Sequence, residues 1–169
     1  MIKNEELENI LSRVHEWIRS ADQKISIFLA FEGIIVTLLA PSLIGWIRFT
    51  ILACRPFSFL LLCSGIGFIF YSLYKMIFEA LVPRVAHGLP TRSVLFFGDV
   101  ASFKLPEYQK RLEQISDDEL RADFVSQIHV SSAIASLKHA KFKESVTMTS
   151  IGIALIILGW LSLVLGFLW

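Results

Sequence analysis

The stretch SADQKISIFLAFEGIIVTLLAP, residues 20–41, decides how this chain folds. Asp22 and Lys24 stand at the threshold of an apolar run that contains a single charge, Glu32. Such a run suits the hydrocarbon layer of a membrane, which is ~30 Å thick and is crossed by about 20 apolar helical residues. Two further stretches meet that requirement with no charge at all: PFSFLLLCSGIGFIFYSLY from Pro56 and VTMTSIGIALIILGWLSLVLGFLW from Val146. Across the 169 residues 54% are apolar and only 18% charged, which sets the chain apart from soluble domains.

The composition predicts an all-α membrane protein with three transmembrane helices. A cytosolic amphipathic helix over 1–24 leads into a first span over 25–47, and a short outer loop over 48–55 leads into a second span over 56–79. A cytosolic helical region over 80–145 then precedes a third span over 146–169. Nine of the sixteen Lys and Arg residues lie between Ala80 and Val146 and four in residues 1–24, whereas the first loop holds only Arg48 and Arg55. Positive charge favours the cytoplasmic side, so the N-terminus is expected inside and the C-terminus outside. The first 24 residues, with five acids and four bases, do not read as a signal peptide.

An apolar stripe at Leu7, Leu11, Val14, Ile18, Ala21 and Ile25 gives the first helix one buried face. No Gly or Pro interrupts it before Gly33, so it is expected to enter the first span directly and to stop at Pro41. Trp46 is placed as an interfacial anchor. Helix breaks after the second span are expected at Pro83, Gly88 and Pro90. Residues 91–105, TRSVLFFGDVASFKL, fit either a short extended segment or a loop tucked against the helices. Helical signals return at Pro106, in a first turn, and Ser116 with Glu119 forms a capping box. Nothing then breaks the pattern before Gly152, so one last helix is expected from Asp117 to near Trp169.

Several polar residues fall on apolar faces. Gln127, Ser131 and Lys138 share a side of the last helix with Leu120, Phe124, Ile128, Ile134 and Ala135, and Asp22 adjoins the stripe of the first. Unpaired buried charge is costly, so Asp22 and Lys138 fit either a helix–helix ion pair or a polar pocket for an anionic ligand, with Lys24 and Lys138 as phosphate contacts. Glu32 fits either a functional carboxylate facing protein or water, or a neutral or Lys75-paired one. Gly152, Gly159 and Gly166, seven apart, make a face of small residues for close packing, inside the chain or between copies. The four histidines lack metal-ligand spacing, and no catalytic motif, cofactor motif or nucleic-acid-binding charge excess occurs. No enzyme, metal or cofactor is expected.

Trp17 with Ala21-Asp22-Gln23-Lys24 at a span entrance, Leu95-Phe96-Phe97-Gly98-Asp99 after the second span, and Asp123-Phe124, Gln127-Ile128 and Ile134 to Lys138 before the last together resemble the transmembrane effector family of the Pycsar antiphage system. The resemblance covers nearly the whole chain. It departs at Ile25, where a small residue would be expected, and its basic position matches Lys141, before Phe142, as well as Lys138. It implies a multi-pass protein of the bacterial inner membrane. In that family a partner pyrimidine cyclase makes cyclic UMP or cyclic CMP, and the effector answers by impairing the membrane in abortive infection. The matching residues are Trp17, Asp22, Lys24, Phe96, Phe97, Gly98, Gln127 and Lys138; of these Asp22, Lys24, Gln127 and Lys138, with Ser131, are the candidate ligand contacts, and Trp17, Phe96, Phe97 and Gly98 are family-motif positions. A homo-oligomer is a further expectation. The alternative is a small membrane scaffold whose cytosolic helices dock a soluble partner.

Overall fold

A computed structural model of the chain describes residues 3–81 and 92–166. The elements in order are α1 (Asn4–Leu52), α2 (Pro56–Lys75) extended by a π-helical turn (Met76–Leu81), α3 (Phe97–Ser102), α4 (Leu105–Gln114) and α5 (Asp117–Leu165). No strand occurs among the described residues. Three helices are long and apolar enough to cross a membrane: α1, α2 with its π turn, and α5. The expected breaks at Pro83, Gly88 and Pro90, and Trp169, lie outside the described residues.

α1 does not stop at Pro41 but continues to Leu52. A proline removes one amide donor, which leaves the carbonyl four residues earlier without its helical partner. Helices that cross a bilayer tolerate this because neighbouring groups and local adjustment make good the loss. The connection to α2 thereby shrinks to Ala53–Arg55. There Cys54 takes a left-handed conformation (φ 51°), and the Arg55 amide donates to the Thr50 carbonyl at 2.9 Å. This is a helix-terminating turn of the kind usually given to glycine.

At the start of α5 the capping box forms as its residue types require. The Glu119 amide donates to Ser116 Oγ at 3.3 Å, and the Ser116 amide to Glu119 Oε2 at 3.4 Å. Residues 92–96 are irregular, and Phe97 begins the short helix α3, so Gly98 lies inside a helical turn rather than beside a strand.

The chain divides into two compact units, Met1–Ala21 with Arg84–Leu137, and Asp22–Pro83 with Lys138–Trp169. In the first, Leu7, Val14 and Ala21 of α1, Val94, and Ala135 of α5 are buried. The deepest line on this part of α5 is Gln127, Ser131 and Ala135, while Leu120, Phe124, Ile128 and Ile134 are half-buried.

The second unit holds the apolar spans. Along α2 from Ser58 to Ser72 the buried positions are Ser58, Leu62, Gly65, Ile69 and Ser72, and along α5 from Ser145 to Leu163 they are Ser145, Thr149, Gly152, Ile156, Gly159 and Leu163. Alternating steps of four and three average 3.5 residues, which keeps one seam turned to the neighbouring helix. Leu62, Ile69, Ile156 and Leu163 form its core, with Val36, Leu43 and Trp46 of α1 packed against it. A second cluster joins Ile25, Met76 and Ala80 with Phe28 and Phe142.

Candidate functional site

The glycine face is used within the chain. A Cβ on Gly152 would stand 2.8 Å from the Gly65 carbonyl oxygen, and one on Gly159 3.0 Å from Leu62. Both glycines therefore let α5 approach α2 closely within the chain. Gly166 ends α5, where the Arg55 guanidinium donates to its carbonyl oxygen. Ser58 and Ser162 share a hydroxyl–hydroxyl bond of 2.6 Å across the same seam.

At the entrance to the spans, Lys138 and Asp22 form an ion pair. The lysine side chain is 6% exposed and the aspartate 44%, so the ammonium is buried and its partner is open to exchange with solvent. The sequence allows either pairing or ligand binding at these two charges, and in the structure they are paired with each other. Lys24 is exposed. Lys141, the other basic position of the resemblance, donates to Glu79 at 2.6 Å, and Phe142 packs edge-on against Phe28. Lys75 does not reach Glu32 and bonds Glu144 instead. The bond to Glu79 holds the pKa of the Lys141 ammonium above its ordinary value. The bond from Lys75 holds the Glu144 carboxyl below its own.

Glu32 is fully buried. Its Oε1 accepts from the Ser72 hydroxyl at 2.8 Å and from the Thr149 hydroxyl, so one carboxylate gathers α1, α2 and α5. Ser72 also reaches the Ser145 carbonyl at 3.0 Å and Thr149 at 2.8 Å.

In the first unit the motif segment is held by carboxylates. Asp123 Oδ2 accepts from Ser93 Oγ at 2.9 Å and from the Val94 amide at 2.8 Å, and Asp99 Oδ2 accepts from the Ser93 amide at 2.8 Å. Ser93 Oγ in turn receives the amides of Leu95 and Phe96 and the side chain of Gln127 at 3.3 Å. Tyr108 donates to the Val94 carbonyl at 3.0 Å. Gln127 thus braces this turn. The Phe96 ring lies against Gly98, where a Cβ would meet it at 2.6 Å and make the ring shift. Phe97 is 80% exposed and Trp17 58%, so neither fills a core. Ser131 is buried on α5. Sequence reasoning missed Ser93 and Tyr108 as parts of the brace, and Ser72 and Thr149 as partners of Glu32. Lone hydroxyls carry no spacing signal.

The chain matches the Pycsar effector protein domain, PycTM, over residues 6–166. The Pycsar effector protein GmPycTM of Gulbenkiania mobilis is 25% identical over 166 residues, covering 84% of this chain and 83% of that one. PtPycTM of Propioniciclava tarda, another Pycsar effector protein, is 28% identical over 168 residues, covering 89% and 79%. No solved structure matches. A domain match across nearly all of a chain whose described residues include three helices long and apolar enough to cross a membrane leads to one conclusion: this protein belongs to the Pycsar effector family of membrane proteins in antiviral defence.

Proposed function

We propose that the chain is a non-enzymatic effector of abortive infection that responds to cyclic UMP or cyclic CMP from a partner pyrimidine cyclase and impairs the bacterial inner membrane. In this reading it is a multi-pass protein with its N-terminus and the 80–145 region in the cytosol and its C-terminus outside. Family membership supports the biological setting. The observation that carries the mechanism is the ion pair of a buried Lys138 with a half-exposed Asp22 at the mouth of the spans. A cyclic phosphate is an anion that can replace a carboxylate at an ammonium, and Asp22 is the exchangeable partner. Displacement frees α1 from α5 at that point. The ligand acts only to the extent that it binds the displaced arrangement more tightly than the resting one.

The test is membrane polarisation in cells expressing the chain, followed by a potential-sensitive dye with either nucleotide supplied. Depolarisation by one of them is expected, and unchanged polarisation with both would refute the reading. The same ion pair also favours the scaffold alternative, in which it serves helix pairing alone. Reversing both charges, Asp22→Lys with Lys138→Asp, separates the two. Full recovery of function in the double variant assigns the pair to packing, and continued loss assigns Lys138 to the ligand.

A further inference from the structure

The carboxylate of Glu32 is placed where a membrane protein can least accommodate an uncompensated charge. It is 0% exposed, and it lies between three helices whose outer faces are apolar. Its polar neighbours are the hydroxyls of Ser72 and Thr149, with the Ser145 carbonyl reached through Ser72. The Ser72 and Thr149 hydroxyls carry one hydrogen each for Glu32 Oε1, the Ser145 carbonyl and the Ser72 oxygen, so neither has a hydrogen left for Oε2. Glu32 Oε2 and Ser145 Oγ are buried and meet no hydrogen-bonding partner among the described residues.

Among the described residues no basic side chain forms an ion pair with this carboxylate. The ionisable groups next to the cluster on the packed helices are Lys75 and Glu79 of the α2 segment and Lys141 and Glu144 of α5. They satisfy one another, Lys75 with Glu144 and Lys141 with Glu79. Lys75 also sits over the Tyr71 ring, 5.2 Å from its centre. Two positive and two negative charges thus close as a neutral set and leave Glu32 outside it. A buried carboxylate in this position is costly unless positive charge comes to it, and hydroxyls alone do not supply that.

We propose that Glu32, Ser72, Ser145 and Thr149 form a binding site for one monovalent cation, a proton or an alkali ion, inside the membrane-spanning core. The bound charge sits on the Oε2 side of Glu32. A proton would make Glu32 a neutral acid. An alkali ion would draw on the carboxylate and on neighbouring hydroxyl and carbonyl oxygens, the hard donors such ions prefer. Because the three helices meet at this carboxylate, loss of the cation would leave them joined around bare charge and favour their separation. The inference does not depend on which nucleotide, if any, the chain senses.

The experiment uses the full chain purified into phosphatidylglycerol–phosphatidylethanolamine nanodiscs and follows its thermal unfolding. One series varies pH from 5 to 9 in choline chloride, and another replaces choline by Na⁺, K⁺ or Li⁺ at fixed pH. Glu32→Gln, neutral and of the same shape, is measured beside the wild type, and Glu144→Gln controls for the neighbouring pairs. If the cation is a proton, the wild-type folded-to-unfolded ratio falls by up to about tenfold per pH unit, indifferent to the alkali ion, while Glu32→Gln shows no such fall. If it is an alkali ion, that ratio rises by up to about tenfold for each tenfold increase in one ion, and Glu32→Gln does not respond. Wild type and Glu32→Gln responding alike in both series would overturn the proposal. Should Glu32→Gln not fold, Thr149→Val and Ser72→Ala keep Glu32 and remove the hydroxyls bonded to it. Under the proposal each moves the wild-type transition along the pH or ion axis, and unmoved transitions in both would overturn it.

Discussion

Replacing Gly65 by alanine, with Gly67 as the control, probes the α2–α5 seam at its tightest point. A Cβ at position 65 would stand 2.7 Å from the Gly152 carbonyl oxygen and 3.0 Å from the Ile156 amide nitrogen. Both are helix backbone and cannot rotate away. Close carbon–oxygen contacts between helices settle at about 3.3–3.6 Å, so the two backbones would have to part by roughly 0.6 Å. Overpacking of this kind costs about 1–3 kcal/mol. Gly67, on the same helix, meets nothing within 4 Å, so alanine there changes helix propensity alone. That gain, about 0.8–1.0 kcal/mol, applies equally at position 65 and cancels in the comparison. Gly65→Ala should therefore be less stable than Gly67→Ala by about 1–3 kcal/mol. Reversible unfolding in mixed micelles with increasing denaturing detergent, followed by helix content, measures it. The double variant Gly65→Ala with Gly152→Ala should cost less than the two single changes added, because the first methyl has already opened the gap. Equal stability of Gly65→Ala and Gly67→Ala, or strict additivity in the double variant, would refute the reasoning.

Three further outcomes follow from the same geometry. Asp123→Ala removes the acceptor for the Ser93 hydroxyl and the Val94 amide, and should destabilise the turn before α3 by about 1–3 kcal/mol, seen as faster limited proteolysis within residues 92–105. Glu144 titrates below the ordinary glutamate value of 4.5 because Lys75 donates to it, so its stabilising contribution is complete above that value. That contribution is lost as pH falls through the lowered one, and unfolding midpoints between pH 6 and 3 should drop more in the wild type than in Glu144→Gln. Cys54→Gly should stabilise the chain by about 1 kcal/mol in the same micelle titration, since glycine adopts the left-handed conformation at that turn without a Cβ clash.

What the sequence made legible is what depends on neighbours in the chain. The apolar runs, the capping box at Ser116 and the uninterrupted course of α5 each rest on residues within a few turns of one another. The positions it misjudged depend on partners far away. Pro41 reads as a stop because its missing donor is a local fact, whereas the helix that carries it past that point is set by packing. The segment after Arg92 stayed open between a strand and a loop because its form is dictated by Asp123 and Gln127, on another helix. Lys75 stood out as a partner for Glu32, but its neighbour across the seam is Glu144. The Asp22–Lys138 pair was visible as one of two outcomes, since a stripe can show that two charges share a face without showing what meets them.

The polar contacts of the second unit also divide unequally among its helices. From Ser58 with Ser162, through Gly65 against Gly152, to Lys75 with Glu144, the partners advance along α2 as they retreat along α5. That ladder fixes an antiparallel register, and a shift of one turn would break every rung of it. Lipid supplies no hydrophobic drive between helices, so these contacts and the close backbone approach carry the association. α1 joins the pair through fewer polar points, Glu32 with Ser72 and Thr149, and Asp22 with Lys138. Apolar grooves flank it on both sides, one with Ile66 and Phe70 in its wall and the other with Trp46 and Trp160. A rearrangement that opens this unit therefore meets least resistance at α1. The two charges that would have to let go are the ones at the head of the stretch from Ser20 to Pro41 and inside it.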